Sequence, residues 1–184
     1  AEICKKHGID GIIVIGGDGS FKGAQKLAAL GINTIGLPGT IDLDIACTEY
    51  TIGFDTAVNT AMEAIDKVRD TSTSHERCSI IEVMGRNAGW LTAASALARN
   101  GYNTAPHLIY LPEVPFDKED FLLDVKRRLF ERNNVIVAVS EGIRDASGNY
   151  ISASELSVDT FGHRQLSGAG TTLEFLVKEK LGVK

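Results

Sequence analysis

The first residues that could do chemistry are Gly16-Gly17-Asp18-Gly19-Ser20, which follow a short apolar run. Glycines here let the backbone approach a ligand and expose N–H groups to it, and a helix that begins there adds positive partial charge. The segment therefore predicts a phosphate-binding loop, with Asp18 able to hold Mg²⁺ on the phosphates. It is not a Walker A loop, because no Gly-Lys-Ser/Thr follows. The alternative interpretation is a tight strand-to-helix turn without a ligand.

Two carboxylates, Asp42 and Asp44, follow the next apolar run, in Pro38-Gly39-Thr40-Ile41-Asp42-Leu43-Asp44. In extended backbone, side chains at i and i+2 share a face, so we expect these two to point the same way. Of two carboxylates beside a metal–phosphate site, one can act as a general base and the other can be linked to the metal ion. A solvated acidic loop is the alternative interpretation.

Further charged residues follow or precede later apolar runs. Arg86 lies in the segment Met84-Gly85-Arg86-Asn87-Ala88-Gly89, where an Arg between glycines can reach a developing phosphoryl charge. Glu141 follows the fifth run and could accept sugar hydroxyls or cap a loop. Arg77 follows a polar segment and could be an ordinary surface charge.

The elements that must position these residues alternate between strand and helix patterns. Short runs rich in Ile and Val predict buried strands over 11–15, 34–37, 79–83, 108–111 and 135–139. Helical patterns cover 55–69, 89–99, 117–132 and 171–180, while 70–74 is expected to be a loop and 145–148 a turn. The alternation predicts an α/β fold with a mostly parallel sheet, in which ligands bind beyond the carboxyl ends of the strands.

The composition is that of a globular protein, with 43% hydrophobic and 23% charged residues among 184. A net charge of −5 argues against a broad nucleic-acid-binding face, and no apolar run approaches the ~20 residues of a membrane helix. Cys4, Cys47 and Cys78 lack metal-ligand spacing and indicate reduced thiols in a cytoplasmic protein. The chain lacks an initiator Met, and residues 1–9 have the pattern of a helix end, so we expect a piece of a longer protein.

Together the motifs resemble those of the 6-phosphofructokinase family. The segments GGDGS, PGTIDLD, YTIGFDTA, DTSTSHER, EVMGRNAGW and VAVSEG occur in that family's order and cover nearly the whole chain. NAD kinases and diacylglycerol kinases share GGDG, but not the TID-x-D and MGR segments. The resemblance implies a three-layer α/β/α fold with mostly parallel sheets. It also implies that residues 1–53 are part of a nucleotide-binding domain and 54–184 part of a sugar-phosphate-binding domain.

The resemblance implies roles for individual residues. Asp42 would accept the proton of the sugar 1-hydroxyl, Arg86 would stabilise the transferring phosphoryl group, and Asp44 would be the second carboxylate. The residues implied to bind nucleotide phosphates are Gly17, Asp18, Gly19 and Ser20, with Mg²⁺ on Asp18. Those implied to contact fructose 6-phosphate are Thr40, Ile41, Asp42, Arg77, Met84, Gly85, Arg86 and Glu141. Of these, Arg77 would reach the 6-phosphate bound on a neighbouring subunit of a dimer or tetramer.

The activity that the resemblance implies is phosphorylation of fructose 6-phosphate to fructose 1,6-bisphosphate in glycolysis, with ATP as donor and Mg²⁺ as cofactor. Members that use pyrophosphate carry Asp and Lys where this chain has Gly19 and Gly39, which favours ATP. Two alternatives remain, a pyrophosphate-dependent enzyme and a non-catalytic sugar-phosphate-sensing subunit of the same fold. The piece by itself is expected to be inactive.

The chain departs from the family at several positions. Leu43 stands where the family usually has Asn, and Trp90 where an acidic residue is common. Arg69 matches an effector-site Arg of the allosteric bacterial enzymes, but Asn100-Gly101-Tyr102 replaces the acidic, glycine-rich effector motif. The resemblance therefore does not predict which effector, if any, the protein binds.

Overall fold

The computed structural model describes residues 1–75, 77–151, 156–158, 164–165 and 168–183. The chain separates into two compact units, Ala1–Asp55 and Thr56–Lys184. The assignment of nucleotide to the first part of the chain and of sugar phosphate to the second stays a prediction.

Two parallel strands and one helix form the centre of the first unit. A short helix α1 (Glu2–Lys6) precedes strand β1 (Gly11–Gly16), helix α2 (Asp18–Ala29) and strand β2 (Asn33–Pro38). Strand β1 pairs with β2 in parallel from Gly11 opposite Asn33 to Gly16 opposite Pro38. Helix α2 packs on one face of this pair. There the ring of Phe21 would lie 2.9 Å from a Cβ at position 36, so Gly36 makes room for it.

A three-stranded parallel sheet forms the centre of the second unit. Its strands are β3 (Cys78–Val83), β4 (Leu108–Tyr110) and β5 (Val135–Ser140), in the order β3-β5-β4. The helices are α3 (Phe54–His75), α4 (Trp90–Ala94), α5 (Lys118–Glu131) and α6 (Ala169–Leu181), with a 3₁₀ turn at Ser95–Ala98 after α4. A small antiparallel pair, β6 (Leu156–Val158) and β7 (Arg164–Gln165), precedes α6.

Strand β5 separates two apolar layers because its side chains alternate between the faces of the sheet. Val135, Val137 and Val139 pack in one buried cluster, whose helical members come from α5 and α6: Phe121, Val125, Ala169, Leu173 and Val177. Ile136 belongs to the opposite cluster, with Ile65 of α3 and Ala98 of the 3₁₀ turn. The second unit therefore has helices on both faces of its sheet, and the predicted α/β fold with mostly parallel sheets is confirmed.

The predicted loop over 70–74 is wrong, because helix α3 continues to His75. Each exposed hydroxyl of this segment donates to the carbonyl four residues earlier, at 2.9 to 3.4 Å, and so stays compatible with helix. The residues are Thr71, Thr73 and Ser74. Ser72 is buried and its hydroxyl contacts that of Ser79 on β3. The polar run therefore has one side in contact with the sheet.

The other predicted elements agree with the structure to within a few residues. The helix predicted over 117–132 is α5, and the Asp117 carboxylate caps it by accepting from Glu119 N at 2.8 Å and Asp120 N at 2.9 Å. The turn predicted over 145–148 closes with Gly148 N donating to Asp145 O at 2.9 Å. The helix predicted over 89–99 is only partly α-helical, since the 3₁₀ turn replaces its second half.

Candidate active site

The predicted phosphate loop lies at the junction of β1 and α2. Gly17 is the N-cap of α2 and has no capping side chain, so no side chain at this position competes with a ligand for the first N–H groups of the helix. Close contact between Gly16 and Ser20 leaves no room for a Cβ at position 16. A helix N-terminus bordered by glycines is a suitable site for an anion.

Asp18 begins α2 and has a carboxylate that fits the implied Mg²⁺. Its Oδ2 lies 2.6 Å from Lys22 Nζ, and the two side chains are 55% and 65% exposed. An exposed i,i+4 pair of this kind contributes only about 0.3–0.5 kcal/mol. A divalent cation can therefore replace Lys22 at this oxygen, which is the ligand type that Mg²⁺ prefers.

The segment with the two aspartates lies against the phosphate loop. Gly39 N donates to Gly16 O at 3.0 Å, and a Cβ on Gly17 would lie 3.3 Å from Thr40 Cβ. The buried Thr51 fixes the backbone at Thr40, because Thr51 Oγ1 donates a hydrogen bond to Thr40 O at 2.7 Å. The first unit thus brings the phosphate loop and the predicted sugar-binding residue Thr40 together.

The backbone between Asp42 and Asp44 is not extended, so our expectation for this segment is wrong. Leu43 has φ of 56°, the left-handed region that costs a residue other than Gly or Asn about 1–2 kcal/mol. Asp42 N donates to Thr40 Oγ1 at 3.2 Å, which bends the chain into a tight turn just before Leu43. Ile41 and Asp42 are half-buried and Asp44 is exposed, so the two carboxylates lie in different environments.

The Arg86 segment lies at the carboxyl ends of β3 and β5 in the second unit. Ser140 Oγ donates to Gly85 O at 2.5 Å, and Gly85 N donates to Glu141 Oε1 at 3.4 Å. Gly142 packs so closely on the carbonyl of Arg86 that a Cβ there would overlap it. The structure therefore brings together four predicted site residues, which are Met84, Gly85, Arg86 and Glu141.

Arg86 has unused capacity to donate hydrogen bonds. Its Nε is buried and has no hydrogen-bond partner in the described part of the chain. Next to it, Asn87 Oδ1 accepts from Arg144 Nη2 at 2.9 Å, and the Arg144 guanidinium lies 4.3 Å from the centre of the Tyr150 ring. The half-buried guanidinium of Arg86 can therefore bind a phosphate oxygen strongly, because its donors are already partly desolvated.

Arg77 and Arg69 lie away from the Arg86 segment. Arg77 precedes β3, whereas Met84 follows it, so the six strand residues separate them by roughly 20 Å. Arg77 lines a cavity of about 300 Å³ with Cys78 and Glu174. Burial raises the pKa of Cys78 to about 11, so its thiol stays protonated at neutral pH. Arg69 lines a separate cavity of about 520 Å³ on the same unit.

The described residues contain neither a cluster of metal ligands nor a membrane-crossing helix. No group of three or more His, Cys, Asp or Glu side chains is arranged there to hold a metal ion by itself. None of the helices in that part of the chain combines the length and the apolar character needed to cross a membrane.

Sequence reasoning missed the side chains that hold the site loops. Thr51 and Ser140 are buried hydroxyls in segments that the motifs include, but neither was singled out. Arg144 was missed as well, although it follows directly after the VAVSEG motif and Ile143. The available signal for Ser140 was a hydroxyl at the end of an apolar strand.

The fold is of the α/β class, with a glycine-rich loop and an aspartate turn in the first unit and an arginine loop in the second. All 184 residues match the family model described as Phosphofructokinase. The chain belongs to the phosphofructokinase family, as the sequence motifs predicted.

Its relatives include proteins named as ATP-dependent enzymes. The chain is 42% identical over 190 residues to ATP-dependent 6-phosphofructokinase 1 of Clostridium perfringens, covering 100% of this chain and 58% of that protein. It is 46% identical over 189 residues to ATP-dependent 6-phosphofructokinase of Brevibacillus brevis, covering 98% of this chain and 57% of that protein. The chain thus spans a little over half the length of these relatives.

Solved structures confirm the phosphofructokinase fold. The pyrophosphate-dependent phosphofructokinase of Marinobacter aquaeolei superposes with a TM-score of 0.76 at 28% identity, over 100% of this chain and 44% of that one. A phosphofructokinase structure from Saccharomyces cerevisiae gives a TM-score of 0.69 at 27% identity, over 98% of this chain and 25% of that one.

Proposed function

We propose that this chain is part of an enzyme that transfers a phosphoryl group from ATP to the 1-hydroxyl of fructose 6-phosphate in glycolysis. The observation that carries the proposal is the contact between the phosphate loop and Thr40 in the first unit. It supports a common site, because the N-terminus of α2 lies beside the segment that contains the proposed general base, Asp42. The names of the relatives support ATP as the donor.

On the donor side, the chain would bind phosphates through the first N–H groups of α2, with Gly17, Gly19 and Ser20 in contact with them. Asp18 would hold Mg²⁺, which supplies positive charge against the phosphate oxygens when it is bound. The departure of Lys22 from Asp18 would leave that lysine free to pair with a phosphate as well. Most of the catalysis would come from positioning and charge neutralisation, as is usual for phosphoryl transfer.

On the acceptor side, Asp42 would take the proton of the sugar 1-hydroxyl while the hydroxyl oxygen attacks the terminal phosphorus of the donor. The bond from that phosphorus to the bridging oxygen would break, and the bridging oxygen would leave with the product nucleotide. Thr40 and Ile41 would orient the sugar, and Asp44 would be the second carboxylate of the site. Arg86 would bind the transferring phosphoryl group through donors that include Nε, which has no hydrogen-bond partner among the described residues. Glu141 would accept a sugar hydroxyl near Met84 and Gly85.

The preference for ATP over pyrophosphate as the donor rests on Gly19 and Gly39, where pyrophosphate-using members carry Asp and Lys. A Cβ at position 39 would lie 3.0 Å from Ile15 Cγ2, so the lysine found in pyrophosphate-using members would have to displace Ile15. The complete protein that contains this chain should be assayed with each donor at equal magnesium. Faster turnover with ATP than with pyrophosphate supports the proposal. Faster turnover with pyrophosphate would instead support a pyrophosphate-dependent enzyme. Binding of the sugar phosphate without turnover would support a non-catalytic sugar-phosphate-sensing subunit.

Arg77 supports a shared site between subunits of a homo-oligomer. It lies at the opposite end of β3 from Arg86, so it is poorly placed for the same bound sugar phosphate. Inactive Arg77→Ala subunits mixed with inactive Asp42→Asn subunits should regain activity, because a hybrid interface can assemble one intact site. Absence of recovery after verified subunit exchange would contradict a shared site. A cytoplasmic location is part of the same proposal and fits the three free thiols.

A further inference from the structure

Ser140 is a fully buried hydroxyl at the carboxyl end of the central strand β5. It follows five apolar residues and lies in the sheet register directly opposite Val83, the last residue of β3. Its Oγ makes two hydrogen bonds, donating to Gly85 O at 2.5 Å and accepting from Gly142 N at 3.2 Å. One hydroxyl therefore connects the loop after β3 to the loop after β5.

The loop after β3 depends on this connection at Gly85. Gly85 has φ of 138°, which L side chains rarely adopt, and a Cβ there would lie 2.5 Å from Ala88 O. The N–H of Gly85 makes a long hydrogen bond, to Glu141 Oε1 at 3.4 Å. Since Arg86 is the next residue, the orientation of the Gly85 carbonyl sets the direction in which the Arg86 backbone continues.

We propose that Ser140 is the positioning residue that fixes Arg86 for phosphoryl transfer, by holding the Gly85 carbonyl through its buried hydroxyl. The proposal rests on the function proposed above. Ser140 is fully buried and acts only through Gly85. Loss of the hydroxyl removes one described hydrogen bond from each of two backbone groups, Gly85 O and Gly142 N. The loop then relaxes, and small displacements of a catalytic group reduce rate more than binding.

A purely structural role predicts a different result, and Ser95 provides the matched control. Ser95 is also fully buried, and its Oγ donates to a backbone carbonyl, Thr92 O, at 2.6 Å. It lies in the 3₁₀ turn, and the described hydrogen bond of its hydroxyl goes to α4 and not to the Arg86 loop. Ser95→Ala therefore removes a similar hydrogen bond without touching the Arg86 loop, and it should affect stability alone.

The first arm of the experiment measures kinetics in the complete protein. Ser140→Ala should lower kcat roughly 10–100-fold, with the KM for the nucleotide within about threefold of wild type. Ser140→Thr keeps the hydroxyl and should restore kcat to within about threefold of wild type, while Ser95→Ala should change neither constant. A Ser140→Ala variant with wild-type kcat, or a Ser95→Ala variant with an equal loss, would overturn the proposal.

The second arm does not depend on turnover. Amide hydrogen exchange at Gly85 and Gly142 should accelerate roughly tenfold in Ser140→Ala and stay unchanged in Ser95→Ala. If Ser140→Ala does not fold, Ser140→Cys keeps the volume with a weaker donor and should show a smaller acceleration. Unchanged exchange in a folded variant would refute the positioning role. If wild type shows no turnover with either donor, the proposed function fails, and exchange still decides whether Ser140 holds the loop.

Discussion

The stability of the second unit should depend on the protonation of His107. Its Nδ1 accepts a hydrogen bond from Ile136 N at 2.9 Å, so the ring must be neutral to make this contact. Burial, together with the charges of Arg132, Arg128 and Arg99, lowers the pKa of His107 from 6.5 to about 4. The unfolded chain has no such environment, and its histidine keeps the ordinary pKa.

The sign of the pH dependence follows from which state binds more protons. Between pH 6.5 and 4 the unfolded state binds the proton and the folded state does not, so stability falls as the pH falls through this window. The full pKa difference would lower the free energy of unfolding by about 1.8 kcal/mol between pH 7 and pH 5. Because the ring is only partly buried, solvent screening reduces this to about 1 kcal/mol.

The assay is urea unfolding at pH 7 and pH 5, followed by the fluorescence of Trp90. This residue is the single tryptophan of the chain and lies at the start of α4, in the same unit as His107. His107→Asn keeps an acceptor at the Nδ1 position but cannot be protonated, so the loss between the two pH values should shrink by about 1 kcal/mol.

The matched control for this assay is the exposed His75 of the same unit, where His75→Asn should leave the pH dependence unchanged. Subtracting each variant from wild type removes the contribution of carboxylates that titrate over the same range. An unchanged pH dependence in His107→Asn would refute the reasoning.

Three further outcomes are expected. Asp42→Asn keeps the shape of the side chain but cannot accept a proton, so kcat of the complete protein should fall about 10²–10⁴-fold. A near-normal kcat would move the role to Asp44 or to water. Cys47 is exposed with φ of 65°, so Cys47→Asn should raise the free energy of unfolding by about 0.5–1 kcal/mol, and a decrease in urea melts would contradict this. Gly142→Ala should lower the free energy of unfolding by about 1–3 kcal/mol, because the new methyl overlaps the Arg86 carbonyl. A variant with wild-type thermal stability would show that the Arg86 loop can move away from the methyl at little cost.

The elements were predictable from sequence where hydrophobic periodicity decides them. Strand β5 is a continuous apolar run and is buried on both faces, as expected for the centre of a parallel sheet. The end of α3 was not predictable in this way, because Ser and Thr normally favour loops. Three hydroxyls of 71–74 bond to carbonyls four residues earlier, and the fourth, that of Ser72, contacts Ser79, a contact that requires the folded sheet.

The chemistry-bearing residues were identifiable from sequence, but one local conformation was not. An extended path from Asp42 to Asp44 is the natural expectation for Asp-Leu-Asp, since Leu disfavours a positive φ. The structure places Leu43 in the left-handed region all the same. The one signal was that the family usually has Asn at this position, and Asn tolerates that region better than most residues. This signal concerns the backbone, whereas the expectation of an extended segment came from the side-chain period of a strand.

The contacts that hold the site depend on long-range pairing that short motifs do not contain. Ser140 and Gly85 are 55 residues apart, and their hydrogen bond exists because β3 and β5 pair with Val83 opposite Ser140. Once that register is set, the residues after each strand must run side by side, and Gly142 must lie against Arg86. A slip of one residue would turn the Ser140 side chain to the other face of the sheet, away from the Gly85 carbonyl. The arginine loop is therefore placed by the same apolar pairing that forms the core, and its geometry can be no better defined than the register of those two strands.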